Sequence, residues 1–547
     1  MKHNLLTLQG ILNHSVEHFS EREAFSFLDE QALTYGDVGK TVASLQYFLE
    51  QLNIKQGDKV AVYSANMPNW SVSYFAIVAM GAVVVPILPD FTSEETKNIL
   101  EHSEASAIFV SESLYPKIKD VADNIIAINI ESFNLFPGAG EKLVWNPEKK
   151  STKEYSVDPE DLAAIIYTSG TTGKSKGVML LNRNIASNVH QSKDMQPIGE
   201  NDRFISLLPL SHTFENTVGM LVPFMSGAKV TYLRKPPTAP VLLPALKKVK
   251  PTVLVSVPLI IEKIYYSKIR PTLTANKFMA TLYKFPPARK LLHKVAGKKL
   301  YETFGGCLHF FGIGGAKLSR DVEQFLLEGG FPYAIGYGLT ETSPVLAGMV
   351  PKNKYKLQST GSAVKDVVLK ISDPDPVTGE GEVWAKGPNI MKGYYKEPGL
   401  TAEVITEDGW FRTGDLGVFD KNNYLSIKGR SKNVIIGASG ENIYPEEIES
   451  VINNFKHVVE SLVIHQKGKL VALVHINREE LEMKYQDLKD EMTKKVEETI
   501  DELLVELQQQ VNSRINKFSR LHKVVLQPNP FQKTATLKIK RYLYSQA

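Results

Sequence analysis

The segment Tyr167-Thr-Ser-Gly-Thr-Thr-Gly-Lys-Ser-Lys-Gly177 directly continues an apolar run that begins at Leu162. The apolar run predicts a buried strand, and the polar segment predicts a loop where that strand ends. Glycines let backbone N–H groups approach phosphate oxygens closely, hydroxyl groups add donors, and lysines neutralise negative charge. The segment therefore predicts a phosphate-binding loop, and a plain polar surface turn is the alternative.

Two other phosphate-binding patterns are excluded. A Walker A loop would end at Gly173-Lys-Ser175, but it needs a glycine five residues before Gly173, where this chain has Thr168. A dinucleotide fingerprint would begin at Gly312-x-Gly314, but its third glycine position holds Lys317. The loop is therefore neither that of a P-loop kinase nor that of a dinucleotide-binding fold.

The rest of the chain predicts an α/β fold. Short apolar runs such as Lys59–Tyr63 and 308–311 alternate with helical patterns, which indicates sheets covered by helices on both faces. We expect two such sheets and a small β-rich subdomain at about 350–430, all within an N-terminal domain of residues 1–430. Residues 431–547 predict a small, mobile α+β C-terminal domain.

Composition limits the function classes. The chain of 547 residues is too long for one core and favours three or four domain-sized units. Its 64 basic residues nearly balance its 60 acidic ones, so nucleic acid is not an expected partner. The single cysteine, Cys307, cannot form an intramolecular disulfide and fits a reducing compartment. We expect it to be a buried structural thiol in a cytoplasmic protein.

One uncharged segment, residues 70–89, is long enough to span a membrane. Gly81, Pro86 and Pro89 interrupt it, however. It therefore predicts a buried helix at 70–80 followed by the strand Val83–Ile87, and a membrane span is rejected.

Further polar motifs follow the phosphate loop along the chain. In order they are Leu208-Pro-Leu-Ser-His-Thr-Phe-Glu215, Gly314-Gly-Ala-Lys-Leu318, Gly336-Tyr-Gly-Leu-Thr-Glu-Thr342, Gly409-Trp-Phe-Arg-Thr-Gly-Asp415, Ile427-Lys-Gly-Arg430, Ser439-Gly-Glu-Asn442 and Gln532-Lys-Thr-Ala-Thr-Leu-Lys538. Over nearly the whole chain they resemble the AMP-forming adenylating superfamily of acyl-CoA synthetases, luciferases and peptide-synthetase adenylation domains. Ser175 and Lys317 depart from it, since both positions are usually proline, and Leu537 stands where many members have glycine.

The resemblance implies a set of site residues. Lys538, Thr168, His212 and Glu341 would be catalytic, and Glu341 would also hold Mg²⁺. ATP or AMP would be bound by Ser169, Gly170, Thr171, Thr172, Gly173, Lys176, Gly315, Ala316, Tyr337, Gly338, Thr340, Asp415, Ile427 and Arg430. Lys432 would be the hinge, and Ser439, Gly440 and Glu441 would lie on the coenzyme A side.

The roles of three of these residues depend on the resemblance. Alone, His212 would be a loop histidine, Asp415 a turn residue and Lys538 a solvated tail charge. In the family's order, His212 shapes the acyl pocket, Asp415 binds both ribose hydroxyls, and Lys538 stabilises charge during adenylation. A carboxylate suits a vicinal diol because it offers two acceptor oxygens.

The implied activity is the two-step ligation of a carboxylic acid to a thiol. ATP and Mg²⁺ would give acyl-AMP, and coenzyme A would then displace AMP. The Ser211-His-x-x-Glu215 form and Leu537 resemble long-chain fatty acid members. An acyl carrier protein as acceptor, an aryl acid as substrate and a non-catalytic nucleotide-binding scaffold remain alternatives. A scaffold would be expected to have lost Lys538, Glu341 or Asp415, and all three are present.

A basic stretch at 277–299 carries large apolar side chains among seven Lys or Arg residues. It predicts either a solvated helix face or a peripheral contact with the inner face of a membrane. Pro286 and Pro287 should interrupt any single helix there. Monomer and homodimer both remain open.

Overall fold

A computed structural model of the chain describes residues 4–137, 143–169, 175–349, 355–436, 442–455, 457–466, 468–485, 492–534 and 539–544. The α-helices are α1 Leu8–Phe19, α2 Tyr35–Gln51, α3 Pro68–Ala79, α4 Ser93–Ser103, α5 Asn182–Met195, α6 Val222–Met225, α7 Ala239–Val249, α8 Pro258–Ile264, α9 Arg270–Leu273, α10 Lys277–Lys284, α11 Pro286–Thr303, α12 Arg320–Glu328, α13 Pro398–Val404, α14 Pro445–Ile452, α15 Arg478–Tyr485 and α16 Met492–Asn512. The strands are β1 Glu23–Phe27, β2 Leu33–Thr34, β3 Lys59–Tyr63, β4 Val83–Ile87, β5 Ala107–Val110, β6 Ile126–Asn129, β7 Leu162–Ser169, β8 Ser175–Leu181, β9 Arg203–Ile205, β10 Lys229–Tyr232, β11 Val253–Ser256, β12 Phe310–Ile313, β13 Tyr333–Gly338, β14 Val345–Met349, β15 Ser362–Ala363, β16 Val368–Ser372, β17 Gly381–Lys386, β18 Gly393–Tyr394, β19 Phe411–Phe419, β20 Leu425–Arg430, β21 Ile435–Ile436, β22 Asn442–Ile443, β23 Val458–Gln466, β24 Lys469–Ile476 and β25 Lys523–Leu526.

Two large sheets form the first part of the molecule. One is nine-stranded, in the order β15-β14-β13-β12-β11-β9-β10-β1-β2, and the other is seven-stranded, in the order β18-β8-β7-β4-β3-β5-β6. The central strands of each sheet are parallel. Examples are β3 with β4 in the seven-stranded sheet and β11 with β12 in the nine-stranded one. Alternate residues of these strands face opposite cores: Val253 packs in one apolar cluster and Leu254 in another. The expected α/β class, with helix-covered sheets, is confirmed.

Helix α3 accounts for the uncharged segment. It packs between the sheets, contacting β1 on one side and both β3 and β4 on the other. Pro68 begins the helix, and side chains such as Trp70 and Phe75 are fully buried. A helix enclosed on all sides has no need of a polar face. No helix among the described residues is long and apolar enough to cross a membrane.

Three smaller β-sheets follow in the described part of the chain, and one of them is the two-stranded pair β21-β22. A four-stranded antiparallel sheet has the order β16-β17-β19-β20. Beyond it, β23, β24 and β25 form a three-stranded sheet that α14 and α16 cover. The apolar cluster beneath those helices includes Ile448, Val474 and Val496, and it is drawn from residues after 442.

Two details correct the sequence predictions. Cys307 is half-buried rather than buried, because it lies in the connection between α11 and β12. The strand expected at 308–311 is Phe310–Ile313, so Leu308 and His309 belong to the same connection. The break expected at the paired prolines is confirmed, since α10 ends at Lys284 and α11 begins at Pro286.

Candidate active site

The predicted phosphate loop joins two strands of a hairpin. Strands β7 and β8 pair antiparallel, and Thr168 lies opposite Lys176 at the end of the pair. The described part of the hairpin closes with Ser169 opposite Ser175. The loop residues Gly170, Thr171, Thr172 and Gly173 lie outside the described residues. The backbone on both sides therefore places Thr168 and Lys176 side by side at the base of the loop.

Lys176 is linked to Glu341 through Tyr394. The Lys176 Nζ atom lies 5.2 Å from the centre of the Tyr394 ring. The Tyr394 hydroxyl donates a hydrogen bond of 2.9 Å to Glu341 Oε1. The backbone N–H of Met391 donates to the Glu341 carbonyl over 2.9 Å. These contacts hold Glu341 beside the base of the phosphate loop.

The turn that carries Glu341 depends on a glycine. Strand β13 ends at Gly338, and a 3₁₀-helix at Thr340–Thr342 follows at once. A Cβ atom at Gly338 would lie 1.8 Å from the carbonyl oxygen of Pro344. Only glycine permits this close approach. Gly338 thus brings Thr340 and Glu341 to the site as a unit.

Asp415 binds two side chains from different strands. Tyr337, on β13, donates a hydrogen bond of 2.7 Å from its hydroxyl to Asp415 Oδ2. The Arg430 Nε atom lies 2.9 Å from Asp415 Oδ1, because Asp415 and Arg430 are cross-strand partners in β19 and β20. Arg430 also donates to the Thr413 carbonyl over 3.0 Å. Asp415 is 5% exposed and lies within a strand rather than a turn.

Electrostatic effects connect these two groups of residues. Burial and the Asp415 carboxylate raise the pKa of Tyr337 well above its usual value, so its hydroxyl keeps its proton. Burial lowers the pKa of Arg430, but the Asp415 carboxylate and then that of Glu341 raise it, and the net shift is upward. Arg430 therefore stays charged and lies near both carboxylates.

Other predicted nucleotide residues lie on the surrounding elements. Gly315 follows β12 with φ of +82°, in the left-handed region that favours glycine, and Ala316 comes next in the same exposed connection. Ile427 lies on β20 opposite Gly417, three residues before Arg430. The expected hinge residue, Lys432, is exposed in the 3₁₀-helix Ser431–Asn433.

An apolar cleft lies behind the predicted acyl-pocket histidine. The His212 Nδ1 atom accepts a hydrogen bond of 3.3 Å from the Phe214 backbone N–H, and the Phe214 side chain lines the cleft. The cavity volume of the cleft is about 50 Å³. Its lining consists of Ser192, Met195, Gln196, Ile198, Phe204, Phe214, Val218, Val222, Val253, Val255, Phe310, Gly312, Ile313, Ala334, Ile335, Gly336 and Val345. Because Gly336 precedes Tyr337, the cleft adjoins the Asp415 group.

A buried carboxyl group lies beside this cleft. Glu215 begins the π-helix Glu215–Leu221 and is fully buried. The Ser206 hydroxyl donates a hydrogen bond of 2.6 Å to Glu215 Oε1. Burial raises the pKa of Glu215 to about 8. The carboxyl group is therefore largely protonated near neutral pH.

Several predicted residues lie outside the described part of the chain. They are Gly170, Thr171, Thr172, Gly173, Ser439, Gly440, Glu441 and Lys538. Lys533 and Ile539 form an antiparallel bridge on either side of the segment that contains Lys538. Beyond it, Arg541 pairs with the buried carboxylate of Glu449 on α14.

Tyr394 was missed by the sequence reasoning. It lies on β18, which joins the seven-stranded sheet by pairing with β8, and Tyr394 lies opposite Val178. This pairing connects positions more than two hundred residues apart, so no local spacing signals it. The one local feature in the sequence is that Tyr394 is followed by a second tyrosine, Tyr395.

The carboxylates near the phosphate loop decide whether a magnesium ion fits there. Among the described residues, no group of three or more His, Cys, Asp or Glu side chains is arranged to hold a metal. Mg²⁺ usually takes only one or two protein carboxylates and completes its shell with water and substrate phosphates. Tyr394 contacts Oε1 of Glu341, and no described residue donates to Oε2. Glu341 therefore fits the role of a single carboxylate ligand.

The sequence and the fold of the chain are similar to those of known proteins. A family model described as AMP-binding enzyme matches residues 12–395. The chloroplastic long-chain-fatty-acid–acyl-carrier-protein ligase AEE15 of Arabidopsis thaliana is 30% identical, over 82% of this chain and 73% of that protein. The long-chain-fatty-acid–CoA ligase FadD15 of Mycobacterium bovis is 28% identical, over 82% of this chain and 78% of that protein. The solved structure of an ATP-bound RpMatB–BxBclM chimera matches with a TM-score of 0.76 and 25% identity, over 99% of this chain and 98% of that one.

Proposed function

We propose, because this chain belongs to the AMP-binding enzyme family, that it activates a carboxylic acid with ATP and transfers the acyl group to a thiol. The first step forms acyl-AMP and releases pyrophosphate. The second step forms a thioester and releases AMP. The thiol that we propose is that of coenzyme A.

The observation that carries the proposal is the Asp415 group. A buried carboxylate, a neutral phenol and a charged guanidinium meet within hydrogen-bonding distance. The carboxylate can accept from a ribose diol, the aromatic ring offers a face to a base, and the guanidinium can neutralise a phosphate. Glu341 lies close enough to raise the pKa of Arg430. The four side chains therefore lie in one region and together offer the contacts that a nucleotide with its magnesium ion requires.

In the first step, an oxygen of the substrate carboxylate attacks the α-phosphorus of ATP. The new P–O bond forms as the bond to pyrophosphate breaks, and negative charge grows on the phosphate oxygens. Thr168, Lys176 and Lys538 would stabilise that charge, and Lys538 is assigned by its place in the family motif. Mg²⁺ held by Glu341 would neutralise further phosphate charge when it is bound. No general base is needed, because a carboxylic acid is already ionised near neutral pH.

In the second step, the thiol sulfur attacks the acyl carbon, and the bond from that carbon to AMP breaks. We propose that residues 431–547 form the moving domain and that Lys432 is its hinge. Rotation would withdraw Lys538 and bring Ser439, Gly440 and Glu441 to the acyl-AMP. The exposure of Lys432 in a short 3₁₀-helix supports this assignment, because an exposed connection can change its backbone angles at little cost.

A long-chain fatty acid is the proposed substrate. The apolar cleft adjoins the Asp415 group and is lined almost entirely by hydrocarbon side chains, which favours an alkyl chain over a polar acid. The names of relatives at 28–30% identity agree with this choice. One of those relatives is named for ligation to acyl carrier protein, so that carrier is the second candidate for the acceptor.

We propose a cytoplasmic location. The chain has a single cysteine, Cys307, and a reducing compartment suits a protein without disulfides. Coenzyme A and ATP, the proposed co-substrates, are compatible with that assignment.

The test is thioester formation with ATP across carboxylic acids of graded chain length. Each acid is assayed for AMP release with coenzyme A and, separately, with acyl carrier protein. We expect AMP release that increases with chain length and a thioester on coenzyme A. Val218→Phe, which narrows the cleft, should shift the preference toward shorter acids, while Val505→Phe on the exposed face of α16 should not. Absence of AMP release with every acid would defeat the proposal.

A further inference from the structure

One long segment of the chain carries charge of a single sign. Residues 263–301 contain ten Lys or Arg residues and no Asp or Glu. The whole chain, by contrast, has 64 basic and 60 acidic residues. The segment covers the end of α8 and the helices α9, α10 and α11. Such segregation produces a local positive potential that the net charge of the protein does not reveal.

The same segment exposes large apolar side chains. Phe278 is 73% exposed, Phe285 60%, Leu291 65% and Val295 66%. Leu291 and Val295 are four residues apart on α11 and therefore lie one above the other on one face. Soluble surfaces seldom gather several large apolar groups without a reason.

Lysines flank these apolar groups. Lys290, Lys294 and Lys298 recur every four residues on α11, so they form a row beside Leu291 and Val295. All three are exposed, and no carboxylate lies within 4.0 Å of them in the described part of the chain. We refer to Phe278, Phe285, Leu291, Val295 and this row of lysines as the basic–apolar surface.

A buried hydrogen-bond network holds the helices that carry this surface. The hydroxyl of Tyr283, on α10, lies 2.9 Å from Nε2 of His293, on α11. His293 Nδ1 lies 2.8 Å from Glu328 of α12, and Arg289 Nη2 lies 2.9 Å from the same carboxylate. Tyr265 completes the network through a 2.9 Å contact with Tyr283. The exposed groups are therefore presented by helices that are fixed from beneath.

We propose that the basic–apolar surface binds the surface of an anionic phospholipid bilayer. Helices that lie in the bilayer interface combine lysines on one side with Phe and Leu side chains on the other. The lysine stems can rest along the acyl boundary while the ammonium groups reach the lipid phosphates. Protein–protein interfaces, in contrast, are depleted in lysine. The lysine content therefore favours lipid over an acidic protein as the occupant.

The bound state would be peripheral. Each lysine contributes through attraction to anionic headgroups, and that attraction weakens as salt is added. The apolar side chains enter the boundary between headgroups and acyl chains, which makes part of the binding independent of salt. The proposal does not depend on the identity of the acid that the protein activates.

The test is flotation of the full-length protein with vesicles. Phosphatidylcholine vesicles are compared with vesicles that also contain phosphatidylglycerol, at low and at high salt. We expect flotation with the anionic vesicles, little with the neutral ones, and a partial loss at high salt. Absence of flotation with anionic vesicles at low salt would overturn the proposal.

Two variants and two matched controls locate the binding surface. Replacing Lys290, Lys294 and Lys298 together by Gln should weaken binding roughly 100-fold, at about fivefold per lysine. Replacing Leu291 and Val295 by Gln should remove the component of vesicle binding that persists at high salt. The controls replace the exposed lysines Lys149, Lys150 and Lys153 by Gln, or Val505 by Gln. Equal binding by variants and controls would contradict the proposal.

Two further measurements separate this surface from its alternatives. AMP release with a water-soluble acid should be unchanged in all four variants, since none of the residues belongs to the candidate active site. Binding of an acidic carrier protein is measured in parallel by gel filtration. If the triple-lysine variant lost carrier-protein binding but kept vesicle binding, the surface would be a protein-docking site and the lipid proposal would fail.

Discussion

The hydroxyl oxygen of Tyr337 lies 2.7 Å from Oδ2 of Asp415, and Arg430 contacts the other carboxylate oxygen at 2.9 Å. Each carboxylate oxygen has two acceptor positions, and the two oxygens together suit the two hydroxyls of a ribose diol. The two protein contacts orient the carboxylate before a nucleotide arrives. This preorganisation reduces the ordering cost of binding.

We predict that Asp415→Asn weakens AMP binding by roughly 10- to 100-fold, because hydrogen bonds to a charged group contribute about 1.5–3 kcal/mol. The amide also leaves the Arg430 guanidinium without the carboxylate that it contacts. Tyr337→Phe keeps the aromatic face and should cost about tenfold, at the lower end of the range for a hydrogen bond to a charged group. Calorimetric titration with AMP measures both effects, and thermal unfolding serves as the folding control. Unchanged affinity in Asp415→Asn would contradict the assignment.

The sequence predicted the residues that contact Asp415 but not the group around Glu341. Asp415 and Arg430 are cross-strand partners in neighbouring strands, so short motifs separated by one hairpin contain both. Tyr394 reaches Glu341 only because β18 pairs with β8. That pairing is decided by the packing of the whole sheet, which no local pattern encodes.

The boundaries of single elements were predictable to within a few residues. The strand at Lys59–Tyr63 agrees with its apolar run because parallel strands are buried on both faces. The run at 308–311 misled the prediction because Leu308 is buried in a connection rather than in a strand. The prediction that Cys307 is buried was wrong for a related reason. Cys307 follows two glycines in the connection that precedes β12, and it is half-buried there.

We predict that Lys538→Ala abolishes AMP release from ATP and acid but largely spares thioester formation from supplied acyl-AMP. The reason is that the lysine stabilises charge only while the α-phosphate is attacked. Lys540→Ala is the matched control and should retain both steps, since its Nζ lies 3.9 Å from Glu95, outside the nucleotide site. Single-turnover assays of the two steps provide the measurement. Equal loss of both steps in Lys538→Ala would be incompatible with this role.

We predict that Tyr394→Phe raises the magnesium concentration needed for half-maximal AMP release by about tenfold. The variant removes the 2.9 Å hydrogen bond that orients the Glu341 carboxylate, and a hydrogen bond to a charged group contributes at least about 1.5 kcal/mol. Glu341→Gln should have a larger effect because it removes the proposed ligand charge. Tyr395→Phe, which contacts Glu104 instead, is the control. A magnesium titration that is identical for wild type and Tyr394→Phe would argue against the role of Tyr394.

We predict that Arg541→Ala destabilises the part of the chain that contains α14 by roughly 3 kcal/mol. Glu449 is buried, accepts a hydrogen bond of 2.7 Å from the Val463 backbone N–H and pairs with Arg541. Breaking a buried ion pair by removing one partner typically costs about 3–5 kcal/mol. Urea unfolding measures the loss. The double variant with Glu449→Gln should recover most of it, and a double variant as unstable as the single one would show that the pair is not the cause.

The last prediction concerns the pH dependence introduced by Glu215. Burial raises the pKa of its carboxyl group from 4.5 to about 8. Between these two values the native state keeps a proton that the unfolded chain releases, so the free energy of unfolding falls as the pH rises through this window. The contribution is fully present below about pH 4.5 and is lost once the pH passes about 8.

Glu215→Gln lacks this titration but keeps an oxygen that can accept the Ser206 hydrogen bond. Relative to wild type, its free energy of unfolding should therefore increase between about pH 5 and pH 8, by roughly 3–5 kcal/mol at most, since one pKa unit corresponds to about 1.4 kcal/mol. Urea unfolding of both proteins across that range measures the difference. Glu403→Gln, at an exposed position on α13, is the control and should show a difference that does not change with pH. If the Glu215→Gln difference were equally flat, the carboxyl group would titrate normally despite its burial, and the protonated form beside the acyl cleft would have to be abandoned.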